Sequence, residues 1–131
     1  MNETILVVDD DPGVLNLLEF ILLRKGYTVL TERGAQRALK LIDREKADLF
    51  ILDVMMPGMS GFELCERLRA QSETALTPII LLSGLSDHES IEHGYAVGAN
   101  EYMTKMTSHV QLVSKVEQLL RESRERLGKA C

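Results

Sequence analysis

The chain has 131 residues, 45% of them hydrophobic and 27% charged, which suits one folded globular domain rather than a disordered chain. Fifteen Lys and Arg against twenty Asp and Glu leave a net charge of -5, which argues against a nucleic-acid or anionic-membrane surface as the main partner. No apolar run approaches the ~20 residues of a membrane span, the first residues carry no secretory pattern, and Cys65 and Cys131 offer no disulfide framework. The expectation is a cytoplasmic domain held together by its core.

Ile5–Asp9 is the first predicted strand, and it ends abruptly in acidic residues. Pro12 suits the first turn of a helix, and Val14, Leu15, Leu18, Ile21 and Leu22 recur at helical spacing. Lys25-Gly26 ends that helix with a cation and a glycine. Tyr27–Glu32 reads as the second strand, and Ala35, Ala38, Leu39 and Ile42 mark the second helix. Asp48–Asp53 is nearly continuous in apolar residues, as expected for a strand covered on both faces. After the loop 56–61, Phe62, Leu64 and Leu68 mark the third helix. Pro78–Ser83 is a fourth buried strand, and Ser86 is positioned to cap a fourth helix running to about Val97. Asn100–Thr104 is a weak fifth strand, and Thr107 or Ser108 opens a last helix carrying Leu112, Val113, Val116, Leu119 and Leu120.

Strands alternating with helices imply βαβ units and one five-stranded parallel doubly wound sheet, flavodoxin-like, with five helices on its two faces. Ligands of such folds sit outside the carboxyl ends of the strands. The residues there are Asp9-Asp10-Asp11 after strand one, Asp53 after strand three, Ser83 after strand four and Lys105 after strand five. Clustered carboxylates repel one another unless a cation joins them. Mg²⁺ takes one or two carboxylates, keeps waters and accepts phosphate oxygens. A lysine and a hydroxyl opposite it supply donors for further negative oxygens. An aspartate there can attack phosphorus. The residues alone therefore point to a Mg²⁺-dependent aspartyl-phosphate site. The plainer reading is that Asp11 is a helix cap and Ser83 a turn residue.

With these motifs in view, the sequence resembles the receiver domain of bacterial two-component response regulators. The matching segments are ILVVDDDP with Asp9-Asp10, ADLFILDVMMPGMSGFEL around Asp53, PIILLSG ending at Ser83 and GANEYMTK ending at Lys105. The resemblance covers about residues 4–120, in the right order on the right elements. It implies that Asp53 accepts a phosphoryl group from a histidine kinase or phosphotransfer protein. It implies that Asp10, Asp53 and the backbone carbonyl of Met55 hold Mg²⁺, with Asp9 acting through water. Ser83 would bind the phosphoryl oxygen, Lys105 would pair with Asp53 or the phosphate, and Tyr102 would turn inward when Ser83 moves. The switched surface would be that of the fourth helix, fifth strand and fifth helix, where phosphorylation could also drive homodimerisation. Such a domain is a signalling acceptor rather than a multiple-turnover enzyme.

Two departures stand out. The family usually follows the site lysine with a cis proline, whereas Met106 follows Lys105 here. A non-proline cis bond costs about 2.5–4 kcal/mol, so a trans bond is expected. Met55 and Leu85 would border the path of an attacking water, and neither side chain can orient it, so slow loss of the phosphoryl group is expected. Ser83 stands where the family often has threonine, and its hydroxyl serves equally.

His88, His93 and His109 lack the partners of a zinc site and read as surface residues. Cys65 reads as helix packing and Cys131 as a free terminal thiol. Met56 is expected to anchor its loop. Residues 1–122 form the expected receiver unit and 123–131 a helical tail. Val113, Val116, Leu120, Ser123, Leu127 and Ala130 follow 3-4 spacing from the last helix into that tail, as in a linker stub leading to an output domain that is separate or left off this chain. Two other functions are weighed: a phosphorylation-independent interaction module, and a phosphatase with Asp9 as nucleophile and Asp11 as acid.

Overall fold

The computed structural model describes residues 2–130, with side chains through residue 128. The elements alternate as β1 (Thr4–Val8), α1 (Pro12–Arg24), β2 (Thr28–Glu32), α2 (Ala35–Ile42), β3 (Leu49–Asp53), α3 (Gly61–Ala70), β4 (Ile79–Ser83), α4 (His88–Ala96), β5 (Glu101–Thr104) and α5 (His109–Ala130). The strands form one parallel sheet in the order β2-β1-β3-β4-β5. The register places Val8 beside both Glu32 and Leu52, and Asp53 beside Leu82. The strand order reverses between β1 and β3, which opens a crevice at the carboxyl ends of those two strands.

The sheet divides the core in two because successive strand residues face opposite ways. Leu6, Val8, Phe50, Leu52, Ile79 and Leu81 pack with Ala35 and Ala38 of α2 and with Leu64, Cys65 and Leu68 of α3. Ile5, Val7, Leu49, Ile51, Ile80 and Leu82 pack with Leu15, Leu18 and Leu22 of α1 and with α5 through Leu112, Val113, Val116, Leu119 and Leu120. β3 and β4 are buried along their whole length, as their unbroken apolar runs predicted. Each fully buried aliphatic side chain contributes roughly 1.5–3 kcal/mol.

The helix ends follow local chemistry. Pro12 occupies the first turn of α1, and the Asp11 carboxylate caps it by accepting the Gly13 N–H at 2.8 Å. The Gly26 N–H closes the other end on the Leu23 carbonyl. The expected Ser86 cap of α4 is corrected: Asp87 caps it, accepting the Ser90 N–H at 3.0 Å and the Ser90 hydroxyl at 2.8 Å. A carboxylate is the stronger acceptor, and His88, not Asp87, is the first helical residue. β5 begins at Glu101 rather than Asn100, whose side-chain oxygen accepts the Ile79 N–H. Cys65 is fully buried, and Met56 and Met59 anchor the loop before α3. His88, His93 and His109 are exposed.

Past residue 122, α5 continues unbroken, with Arg124 paired to Glu3 and Arg126 donating to the Leu76 carbonyl. The expectation for Ala130 as part of a packing stripe falls on a side chain that is not described, and that for Cys131 as a free thiol lies outside the described residues. Among the described residues every peptide bond is trans, Lys105–Met106 included, and no helix is long and apolar enough to cross a membrane.

Candidate functional site

At the crevice, β1 delivers Asp9 and Asp10 and β3 delivers Asp53. Each of the three carboxylates offers an oxygen lying within 4.8 Å of the others. Asp53 is only 3% exposed, and Asp9 is equally buried. Gly61, at the start of α3, explains how tightly this edge is built. A Cβ there would stand 2.1 Å from the Asp53 carbonyl oxygen, so only glycine lets α3 begin this close to the end of β3.

Lys105 reaches into the cluster from the end of β5. Its Nζ lies 2.9 Å from Asp9 Oδ2 and 3.4 Å from Asp53 Oδ1, with the side chain 32% exposed. Its backbone N–H donates to the Ser83 carbonyl at 2.8 Å, which aligns the ends of β4 and β5. Asp9 Oδ1 also accepts the Asp11 N–H at 2.9 Å, and Asp53 Oδ1 accepts the Met55 N–H at 3.3 Å.

Burial, then the neighbouring charge of Asp9, pushes the Asp53 carboxyl up to about 6, against the opposing pull of Lys105 and of the Met55 N–H. Burial would lower Lys105, but its hydrogen bond to Asp9 and the charges of Asp53 and Asp9 hold the ammonium above its ordinary value. Three carboxylates facing one ammonium leave two negative charges uncompensated. That deficit, met by hard oxygen donors, fits a divalent cation such as Mg²⁺.

The remaining site residues meet at Leu85. Ser83 is fully buried, and its Oγ accepts the Leu85 N–H at 3.0 Å. The Tyr102 hydroxyl donates to the Leu85 carbonyl at 2.8 Å. The Tyr102 side chain is therefore turned inward, 8% exposed. Gly94 makes room for its ring, since a Cβ there would come within 2.6 Å of the ring edge. The Tyr102 N–H donates to the Tyr95 hydroxyl, which in turn donates to Glu101. The sequence reading placed Leu85 only as a border to water. No sequence signal marks it as the link between Ser83 and Tyr102, because that role is played by its backbone. Its side chain packs partly against the core, while Met55 stands 60% exposed.

The plainer readings of Asp11 and Ser83 hold as local structure: Asp11 caps α1 and Ser83 accepts a turn N–H. Asp11 is exposed and engaged with Gly13, so the geometry gives no support to its service as the acid of an Asp9 phosphatase.

Residues 5–117 match the family model of the response regulator receiver domain. The chain belongs to that family. It is a receiver domain of two-component signalling. It is 40% identical over 123 residues to the alkaline phosphatase synthesis transcriptional regulatory protein PhoP of Bacillus subtilis, covering 94% of this chain and 50% of that protein. It is 35% identical to the regulatory protein VanR of Enterococcus faecium, covering 98% of this chain and 54% of that protein. The chain thus spans about half the length of these curated relatives. Among solved structures, the CheY-like receiver domain protein of Methanospirillum hungatei superposes with a TM-score of 0.90 at 28% identity, covering 96% of this receiver and 99% of that chain. The BeF3-activated receiver domain of Klebsiella pneumoniae RstA gives a TM-score of 0.85 at 35% identity, covering 91% and 99%.

Proposed function

We propose that Asp53 of this receiver accepts a phosphoryl group from the phosphohistidine of a histidine kinase or phosphotransfer protein. The observation that carries this is the buried Asp53 carboxylate, held at one strand edge with Asp9 and Asp10 and faced by Lys105. An Asp53 oxygen forms the new bond to phosphorus, and the N–P bond breaks with its electron pair returning to the imidazole. Asp10, Asp53 and the Met55 carbonyl would hold Mg²⁺, with Asp9 contributing through water. When bound, the ion supplies positive charge for the phosphoryl oxygens. Lys105 orients Asp53 and stays to pair with the product, and Ser83 supplies a hydroxyl donor.

The switch follows from what the phosphoryl group asks of Ser83. Phosphorylation adds about -1.5 to -2 charge and strong acceptor oxygens. Drawing the Ser83 hydroxyl toward them frees the Leu85 N–H, and the Leu85 carbonyl carries that change to Tyr102. The α4-β5-α5 face would read out the change, by homodimerisation or by contact with an output domain. The PhoP relative is named as a transcriptional regulatory protein, which favours a transcriptional output for the longer protein.

Incubation with Mg²⁺ and acetyl phosphate, followed by intact mass measurement, tests the reading. One phosphoryl adduct is expected, absent without Mg²⁺ and absent in Asp53→Ala. No adduct would return the domain to a phosphorylation-independent interaction module.

A further inference from the structure

Beside the acidic cluster lies a cavity of about 410 Å³ whose walls are Asp10, Arg33, Arg37 and Pro57. Its position follows from the sheet. β2 pairs with β1 so that Val8 stands opposite Glu32, and the Asp9 N–H donates to the Glu32 carbonyl at 3.2 Å. The next residue, Arg33, therefore leaves the sheet beside Asp9 and Asp10. Gly34 then opens α2 without a side-chain cap, and Arg37 follows in its first turn. Both arginines are exposed, and among the described residues neither guanidinium has an ion-pair or hydrogen-bond partner.

Two unpaired cations sharing a cavity wall with an aspartate need a reason. A receiver core with three carboxylates and one lysine repels an incoming phosphate, and a divalent ion only brings that balance to neutral. A guanidinium binds phosphate oxygens through a planar fork of N–H donors. We propose that Arg33 and Arg37 form an anion-collecting lip that captures a low-molecular-weight acyl phosphate and passes its phosphoryl group to Asp53. The inference rests on the phosphoacceptor reading above. In the step itself an Asp53 oxygen bonds to phosphorus, the P–O bond to the acyl group breaks, and the carboxylate leaves with the electron pair. No proton or redox partner is needed.

The test uses the full chain, Mg²⁺ and two donors: acetyl phosphate, a dianion, and phosphoramidate, whose protonated nitrogen cancels part of the phosphoryl charge. In Arg33→Gln/Arg37→Gln the rate with acetyl phosphate should fall about tenfold and lose most of its salt dependence. The rate with phosphoramidate should change by roughly twofold or less, since less charge is steered. Mg²⁺ binding should tighten, because two cations near Asp10 are gone; a folding defect would weaken it instead. Arg33→Lys/Arg37→Lys should retain most of the acetyl phosphate rate. Separately, the side-chain N–H resonances of Arg33 and Arg37 should shift when Asp53→Asn protein is titrated with acetyl phosphate. Unmoved resonances, or an unchanged acetyl phosphate rate in the double glutamine variant, overturn the lip. If the arginine resonances move while the wild-type chain gains no adduct, anion capture by the two arginines stands, but the transfer to Asp53 and the acceptor reading both fall.

Discussion

Asp53 is the residue where burial and charge conflict most. Its carboxyl has an ordinary value of 3.8 and is pushed up to about 6 in the fold, so across that window the folded state holds a proton that the unfolded chain has lost. Stability rises with pH only where the unfolded state binds more protons, and here the reverse holds. The metal-free domain should therefore lose stability as pH rises from about 4 to about 6, by an amount of order 3 kcal/mol, and this contribution should be flat above that range. In Asp53→Asn the slope should vanish, leaving the variant more stable than the parent at neutral pH in the presence of a chelator. Urea midpoints of both proteins at several pH values check this, and parallel profiles would contradict it. Met55 sets a second expectation at this scale. Its exposed thioether beside Asp53 cannot hold a water by hydrogen bonding. Met55→Asn adds a donor and acceptor worth about 1 kcal/mol, so acyl phosphate hydrolysis should speed up roughly fivefold. The decay of phosphorylated protein, followed by intact mass, measures it; equal or slower decay would show that water approaches from elsewhere.

Among the elements, α4 and β5 carry the contact that sequence could not supply. Gly94 looks like a weak point in a helix, since glycine costs about 1 kcal/mol relative to alanine there. Gly94→Ala should nevertheless destabilise, because its Cβ would meet the buried Tyr102 ring at 2.6 Å and Leu81 at 3.1 Å. Overpacking of this kind costs about 1–3 kcal/mol, more than the helical gain. Gly128→Ala meets nothing within 4 Å and should be neutral to slightly stabilising. Chemical denaturation of the pair reads the difference in sign. The strands and the acidic, hydroxyl and lysine residues at their ends were legible from periodicity, because buried parallel strands are written as apolar runs. The α4 cap was misplaced by one residue, since Ser86 and Asp87 are both good caps and only the loop path selects between them. The Ser83–Leu85–Tyr102 connection was not legible at all: it runs through backbone groups of one residue, and backbone groups leave no trace in side-chain pattern.

For the whole molecule, Arg69 joins segments that the sheet alone leaves loose. From the end of α3 its guanidinium donates to the Thr77 carbonyl at 2.7 Å, the Asn100 side-chain oxygen at 2.8 Å, the Gly98 carbonyl at 2.9 Å and the Thr74 carbonyl at 3.1 Å. The loop into β4 and the loop between α4 and β5 are thus fastened to one side chain. Asn100 extends the tie into the sheet by accepting the Ile79 N–H. All four acceptors are neutral, and burial, the largest influence, lowers the Arg69 value, yet the guanidinium stays charged at any working pH. Arg69→Met keeps the volume of the stem but strands several half-buried carbonyls, each worth about 1–3 kcal/mol when left unsatisfied. A loss of about 2–4 kcal/mol in urea unfolding is expected, spread over loops at the end of the sheet away from the acidic cluster. Arg69→Lys should recover little, because a point ammonium cannot reach acceptors arranged around a planar fork. Since this end is remote from Asp53, the surviving folded fraction of Arg69→Met should still take the phosphoryl adduct. A variant that unfolds no more easily than the parent would mean that the two loops are held by the sheet itself.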